Sequence, residues 1–331
     1  QDPAAGSHAG LLRDKFKAEE VFAAGLTIRS DRTQGFYDRF RHRLMFPIRD
    51  LHGQAVGFTS RLLDEKRAEG KYINTPETLI YNKSRVLYGL DLARTAIRQQ
   101  DYAIVVEGNM DVIACQQFGQ ANVVACSGTA LTLDQLRLLQ RYTNNLMICF
   151  DADPAGESAA KRGIDLALQQ GLRVKVITTP LNCGKDPDEC VRKNLKMWEE
   201  SVRGAKEIME YYLEKAARKF DIKTASGRSQ FVNTLLTEIT KLSDLVEQDF
   251  WLKQIGEMAK VDDRILREQL QRLGRSQKSP HHPASAGGTG QAGVRSQVET
   301  KTQNLKPETS RPQLLSDRLL ALFLREPQCA E

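Results

Sequence analysis

Six acidic residues follow apolar runs that have the length and the β-branched content of buried strands. The first run ends in "VVEGNMD", a later one ends in "FDADPAGES", and the last is followed by "GKDPDE". The six are Glu107, Asp111, Asp151, Asp153, Asp186 and Asp188. Each alone is common in a turn or a helix cap, but together they repel one another unless a cation lies between them. Because Mg²⁺ and Mn²⁺ prefer such oxygen ligands, the sequence predicts a divalent-metal site.

The elements that must position these residues alternate between strands and helices from residue 102 onward. Short strands are predicted in "YAIVVE", "NVVAC", "LMICFD" and "RVKVIT", and helical periodicity is found at 109–119, 132–142 and 154–170. This alternation predicts a parallel sheet covered by helices, and ligands of such sheets collect beyond the carboxyl ends of the strands. Thr132 and Gln135 form a predicted capping box, and Pro154 suits the first turn of a helix.

Different patterns flank this predicted sheet. Residues 35–90 are typical of an irregular α+β lobe, and the segments after residue 200 are typical of a small bundle of amphipathic helices. The following Ser, Gly, Pro and Gln-rich segment predicts a flexible linker. The predicted domains are a disordered lead or cloning remnant at 1–10, the lobe at 11–100, the sheet domain at 101–200, the bundle at 201–275, the linker at 276–312 and the start of another helical unit at 313–331.

Composition is that of a soluble protein with two or three domains, since 40% of the 331 residues are apolar and 27% are charged. No apolar run has the length of a bilayer span, and the first residues do not form a signal peptide, so no membrane association is expected. The six cysteines contain no C-x-x-C pair and no histidine at zinc-finger spacing, so no zinc site is expected. Several lie in apolar runs, which predicts reduced thiols and a cytoplasmic location.

Charge is distributed unevenly along the chain. Residues 31–100 contain 13 Lys and Arg against 8 Asp and Glu, a balance of +5, whereas residues 101–200 contain 10 against 13, a balance of −3. A basic lobe beside an acidic module fits a polyanion that lies next to a cation site. Scattered, solvated surface charge explains the same counts equally well.

Four motifs resemble, in their order and spacing, the Toprim module of bacterial DNA primases. They are "VVEGNMDV", "CSGTALT", "FDADPAGESAA" and "GKDPDE". The upstream segments "FYDRFRHRLMFPIRDLHGQAVGFTSRLL" and "KYINTPETLIYNKSRVLYGL" resemble the basic lobe of the same primases. The resemblance covers about residues 20–276 and implies an α/β fold, with a Toprim parallel sheet flanked by helices, preceded by an α+β basic lobe and followed by a small helical bundle.

The resemblance also implies a function and roles for individual residues. The function is synthesis of RNA primers from ribonucleoside triphosphates on single-stranded DNA, with two Mg²⁺ or Mn²⁺ ions, at a replication fork in the cytoplasm. The replicative helicase is the expected partner of the full-length family member, and this chain is expected to associate with it little or not at all. Glu107 would be the catalytic acid or base, Asp151 and Asp153 would hold the metals, and Asp111, Asp186 and Asp188 would complete the acidic set. The residues expected to face the template or nucleotide phosphates are Arg39, Arg61, Lys71, Asn74 and Lys83, although each is equally well explained as a solvated surface residue.

The chain departs from the family pattern at three places. Asn109 stands where the family usually has an aromatic residue, a position that is not a metal ligand. The N-terminal zinc ribbon of bacterial primases is not found, and a helicase-binding domain only begins at 313–331, so a core fragment or a curtailed gene product is expected.

Three other functions compete with primer synthesis. The first is strand cleavage by a Toprim nuclease or topoisomerase, but a topoisomerase needs a nucleophilic tyrosine in a large separate domain. The second is a catalytically spent Toprim adaptor, which the six intact carboxylates disfavour. The third is a D-x-D phosphatase, whose motif belongs near the start of the chain.

Overall fold

The computed structural model describes residues 15–31, 35–64, 70–128, 130–149, 154–180 and 182–278. Asp151, Asp153, the predicted lead and the predicted final helical unit lie outside these ranges, as does the predicted linker except for its first three residues. The domain boundaries stay predictions.

The N-terminal lobe combines two small antiparallel sheets with flanking helices. Its elements are α1 (Ala18–Ala23), β1 (Thr27–Arg29), β2 (Phe36–Asp38), β3 (Arg43–Arg49), β4 (Ala55–Leu62), β5 (Tyr72–Asn74) and α2 (Leu90–Gln100). β1 pairs with β2, and β4 lies between β3 and β5. A small core of Val21, Leu26, Phe40 and Phe58 holds the lobe together.

The central sheet has the strand order β10-β9-β8-β6-β7. Its strands are β6 (Ala103–Val106), β7 (Val123–Ala125), β8 (Asn145–Ile148), β9 (Arg173–Val176) and β10 (Lys206–Glu207). β6 to β9 pair in parallel, which confirms the predicted parallel sheet, whereas β10 is an antiparallel edge strand that was not predicted. The connecting helices are α3 (Asn109–Gln117), α4 (Leu133–Leu139) and α5 (Pro154–Gln169), and α6 (Pro187–Lys193) and α7 (Leu195–Arg203) follow β9.

Both faces of this sheet are covered, which explains why its strands are apolar without alternation. Along β6, Ala103 and Val105 belong to the core shared with α2, α4, α5 and the C-terminal helices. Ile104 and Val106 belong to the opposite core, which is shared with α3, α6 and α7. The predicted capping box is present, since the N–H of Gln135 donates to Thr132 Oγ1 at 3.2 Å and the N–H of Thr132 donates to Gln135 Oε1 at 3.1 Å.

The C-terminal bundle contains α8 (Ile208–Lys219), α9 (Ala225–Ile239), α10 (Leu245–Ala259) and α11 (Asp263–Lys278). α9 ends at Ile239, and Asp244 caps the N-terminus of α10 by accepting from the N–H of Val246 at 2.8 Å. Buried Glu238 of α9 accepts from Lys161 of α5 and from Lys241, each at 2.6 Å. The bundle is therefore joined to the helix that begins directly after Asp153. No helix in the described part of the chain combines the length and the apolar character needed to cross a bilayer.

The cysteines differ from the sequence-based expectation at one pair. Cys115, Cys126 and Cys149 are buried free thiols, as expected. Cys183 and Cys190 form a disulfide, so the expectation of reduced thiols is wrong for this pair in the structure. The tight turn that starts at Gly184 brings the two cysteines together. Their spacing is not the C-x-x-C spacing from which a pair could have been predicted.

Candidate active site

The junction of β6 and α3 positions the first two carboxylates. Glu107 follows directly after the buried residue Val106 and is itself half-buried. Asp111 lies in the first turn of α3, where its Oδ2 accepts a hydrogen bond from the N–H of Gly108 at 3.0 Å. This bond caps the helix and fixes the Asp111 side chain close to the end of the strand.

The loop before α6 brings the last two carboxylates to the same place. The N–H of Asp188 donates to Asp111 Oδ1 at 3.1 Å, so both oxygens of the buried Asp111 side chain accept from the backbone. Asp188 pairs with Arg192 one turn further along α6. Asp186 caps α6 by accepting from the N–H of Glu189 at 2.8 Å. The structure thus assembles Asp111 with Asp188 directly, and holds Asp186 two residues before this contact.

The electrostatic field of these carboxylates reaches the basic lobe. The pKa of Tyr72 in β5 is raised, first by burial and then by Asp188, Asp111 and Asp186, while Arg61 opposes the shift. Tyr72 lies opposite Arg61 in the β4–β5 register. Burial, with a contribution from Glu107, raises the pKa of Cys126 to about 12. The charges of the acidic residues therefore act on Tyr72 of the basic lobe.

Tyr72 was missed by the sequence reasoning. Its position between the predicted residues Lys71 and Asn74 in "KYINT" was the available indication. The residue is 47% exposed, so its ring offers an accessible apolar face. An aromatic face in this place can stack on a nucleobase.

A hydrogen-bonded chain connects the lobe with the sheet domain. Asn74 Nδ2 donates to the carbonyl of Ser127 at 3.1 Å, and Ser127 Oγ donates to Asn109 Oδ1 at 2.6 Å. Ser127 and Gly128 have φ angles of 58° and 78°, which turn the chain after β7 toward the lobe. Asn109 is thereby a partner of this loop, and Asn74 is a contact between domains as well as a predicted nucleotide-binding residue.

The other basic residues have different surroundings. Arg39 donates from Nε to the carbonyl of Gly25 at 2.9 Å, and burial lowers its pKa. Lys71 is exposed next to Tyr72. Lys83 is half-buried, and its carbonyl accepts from Gln135 Nε2 at 3.0 Å. Of the five predicted residues, Arg61 lies opposite Tyr72 in the β4–β5 register, and the binding roles of all five stay predictions.

The donor chemistry of the described carboxylates suits a hard cation. Asp111 is held by two backbone donors, and the short helix α6 presents Asp188 next to it. Among residues with a described position, no group of three or more His, Cys, Asp or Glu side chains is arranged to hold a metal ion. The two aspartates predicted as the main ligands, Asp151 and Asp153, lie outside those positions. The described carboxylates therefore fit as part of a metal-binding set.

Solved structures share this arrangement of lobe, sheet and bundle. A DNA primase domain from Pseudomonas aeruginosa is 32% identical, with a TM-score of 0.66, and the match covers 78% of this chain and 79% of that one. The chain belongs to the DNA primase family. A DnaG primase catalytic domain bound to single-stranded DNA is 33% identical, with a TM-score of 0.66 over 77% of this chain and 81% of that one.

Curated primases and family models extend the match to known primase regions. The DNA primase of Clostridium acetobutylicum is 39% identical over 248 residues, which is 75% of this chain and 40% of that primase. The chain thus spans about two fifths of the length of the curated relatives that it matches. Three family models match: the N-terminal domain of the DNA primase catalytic core at 4–94, a Toprim-like domain at 104–191, and the DnaB-helicase binding domain of primase at 209–264.

The third match concerns the helical bundle. Residues 209–264 include most of α8 and all of α9 and α10. Residues 313–331, for which the start of a helicase-binding domain was predicted, lie outside the described part of the chain, and that prediction stays a prediction. The family model matches a helicase-binding region in the bundle.

Proposed function

We propose that this chain is the catalytic core of a DNA-templated RNA polymerase that makes primers on single-stranded DNA. The observation that carries the proposal is the hydrogen bond from the Asp188 N–H to the Asp111 carboxylate after the end of the parallel sheet, together with the influence of both aspartates on the pKa of Tyr72, which lies opposite Arg61 in the basic lobe. In this arrangement the carboxylates can bind metal ions, and the cationic and aromatic groups of the lobe can bind a nucleic acid. Membership in the primase family supports the same function.

Glu107 would move the proton in this reaction. It lies at the end of β6, half-buried and next to the Asp111 turn, where a carboxylate can accept the proton of an attacking ribose hydroxyl. Asp111, Asp186, Asp188 and the pair Asp151 and Asp153 would hold Mg²⁺ or Mn²⁺. When bound, these ions would stabilise the charge that develops on the transferred phosphate and the pyrophosphate leaving group.

The basic lobe would hold the template and the incoming nucleotide. Arg61 and Lys71 would contact phosphates, and the exposed ring of Tyr72 would stack on a base at the edge of the acidic site. Such contacts depend little on base identity. Template binding should therefore weaken with salt and change little with sequence.

The helical bundle would bind the replicative helicase. Near the start of α10, Leu245, Val246 and Phe250 are 76%, 78% and 53% exposed, and they form an apolar surface of the kind found at protein interfaces. This surface lies within the residues that match the helicase-binding model. The enzyme would act at replication forks in the cytoplasm.

The decisive experiment incubates the protein with single-stranded DNA, Mg²⁺ or Mn²⁺ and labelled ribonucleoside triphosphates. Short labelled RNA is expected from the wild type and from Glu199→Gln, a matched change at an exposed glutamate of α7. Glu107→Gln should make almost none. Cleavage of the DNA without RNA synthesis would indicate a Toprim nuclease, and neither product would indicate a spent adaptor.

A further inference from the structure

The disulfide between Cys183 and Cys190 encloses two of the acidic residues. The bridged residues are separated by seven positions, and the segment between them is "GKDPDE", which contains Asp186 and Asp188. Asp188 donates its N–H to Asp111, and Asp111 accepts in addition from Gly108, the residue after Glu107. Two hydrogen bonds therefore connect the bridged segment, through Asp111, with the backbone next to Glu107.

We propose that Cys183 and Cys190 form a reversible thiol–disulfide site that sets the metal affinity of the acidic site. The bridge holds Asp188 against Asp111 before any metal arrives, and breaking it releases the turn and the start of α6, which carry Asp186 and Asp188. This inference rests on the proposed function, because the metal site is part of the polymerase mechanism.

Local structure explains why the bridge matters to this loop. α6 contains seven residues, which is too few for a helix that is stable without tertiary contacts. Gly184 has a φ of 149°, and a Cβ at this position would lie 2.6 Å from Glu189 Cβ. The turn therefore closes tightly on α6. The bridge fastens it to the apolar core around Val191 and Trp198.

The pair differs from the other described cysteines in that its sulfurs are bonded to each other. Burial raises the pKa of Cys115, and it raises that of Cys126 to about 12, so these thiols carry little thiolate and exchange slowly. Cys183 and Cys190 are also buried, at 1% and 0% exposed, so exchange requires the short loop to open. Opening such a segment needs less energy than global unfolding, which gives a reductant access to this site.

A small dithiol supplies the electrons that reduce the bridge, and a small disulfide accepts them when the bridge forms again. One thiolate of a dithiol attacks a bridge sulfur, the Cys–Cys bond breaks, and the released cysteine thiolate takes a proton. The second thiol of the reductant displaces the other cysteine, so the protein gains two electrons and two protons while the reductant becomes a cyclic disulfide. In reverse, one oxidised glutathione accepts these electrons and leaves as two reduced glutathiones.

The test compares the oxidised and the reduced full chain. Protein is treated with oxidised glutathione or dithiothreitol and desalted without air, and the number of thiols is measured by mass after alkylation under denaturing conditions. Mn²⁺ affinity is then measured by calorimetry. Because the bridge restricts only a short loop, reduction should weaken Mn²⁺ binding by about three- to tenfold. Affinity for single-stranded DNA, measured without metal, should stay the same.

Variants separate the bridge from other effects of the reductant. A double variant, Cys183→Ala with Cys190→Ala, should bind Mn²⁺ like the reduced wild type under both conditions. Cys115→Ala removes a buried sulfur from the same core and should keep the response to reductant. If the double variant does not fold, the two forms of the wild type still decide the question.

Two results overturn the inference. One is equal Mn²⁺ affinity of the two forms when mass shows a difference of two thiols. The other is no difference in thiol number after oxidation. Absence of RNA synthesis from both forms would instead refute the polymerase function, while the comparison of Mn²⁺ affinities would still test the bridge.

Discussion

Asp111 is expected to stabilise the apoprotein as well as to bind metal, and Asp111→Asn separates these effects. The wild-type side chain is 6% exposed and accepts one backbone N–H at each oxygen, at 3.0 and 3.1 Å. An asparagine of the same shape has one acceptor oxygen, so its amide group must face one of these N–H donors. One hydrogen bond is lost and one buried donor is left without a partner, which should cost about 2–3 kcal/mol.

Thermal unfolding measures this cost. For a chain of this size the loss corresponds to a fall in Tm of roughly 3–6 °C without metal. Asp134→Asn is the matched control, because Asp134 makes a mostly exposed ion pair with Arg85 at 3.2 Å and should change Tm little. In the wild type, added Mn²⁺ should raise Tm, and in Asp111→Asn this increase should be reduced. If the metal-free Tm of Asp111→Asn lies within about one degree of the wild-type value, the two hydrogen bonds to Asp111 do not stabilise the protein as argued.

The remaining predictions concern catalysis, template binding, the bundle and the partner. Glu107→Gln cannot exchange a proton at neutral pH, so RNA synthesis should fall by about two orders of magnitude while DNA binding persists. Arg61→Ala and Lys71→Ala should each flatten the slope of log affinity for single-stranded DNA against log salt by roughly 0.7, measured by fluorescence anisotropy. Glu238→Gln removes the buried charge and one of the two oxygens that accept from Lys161 and Lys241, and it should lower the free energy of unfolding by roughly 2–3 kcal/mol, measured by denaturant titration. Phe250→Ser should weaken capture of the replicative helicase in a pull-down, because it removes an exposed apolar ring from α10.

Each of these predictions has a matched control elsewhere in the chain. Glu199→Gln should keep RNA synthesis, and Lys219→Ala, at the exposed end of α8, should leave the salt slope unchanged. Asp249→Asn disturbs exposed ion pairs with Lys253, at 2.8 Å, and with Arg267, and should cost less than Glu238→Gln. Leu92→Ser changes a 65% exposed apolar residue on α2 and should not affect helicase capture. A control that behaves like its test variant would contradict the corresponding prediction.

Features encoded by neighbouring residues were predictable from the sequence. The four parallel strands follow from short apolar runs, because a sheet covered on both faces needs apolar residues at successive positions. The capping box at Thr132 and the helix start at Pro154 follow from residue types within one turn. The acidic residues after these strands were visible for the same reason, since a parallel sheet places the carboxyl ends of its strands at one edge.

Only the tertiary structure decided which of these residues meet. The contact between Asp111 and Asp188 joins residues 77 positions apart, and Tyr72 reaches their field from another domain. β10 pairs at the sheet edge because α7 returns the chain to β9. A strand of two residues is too short to show a periodicity that would predict it. The disulfide depends on a turn at Gly184 that folds back onto α6. Such contacts depend on how elements pack across long separations in the chain, whereas sequence patterns report the local preferences that form the elements.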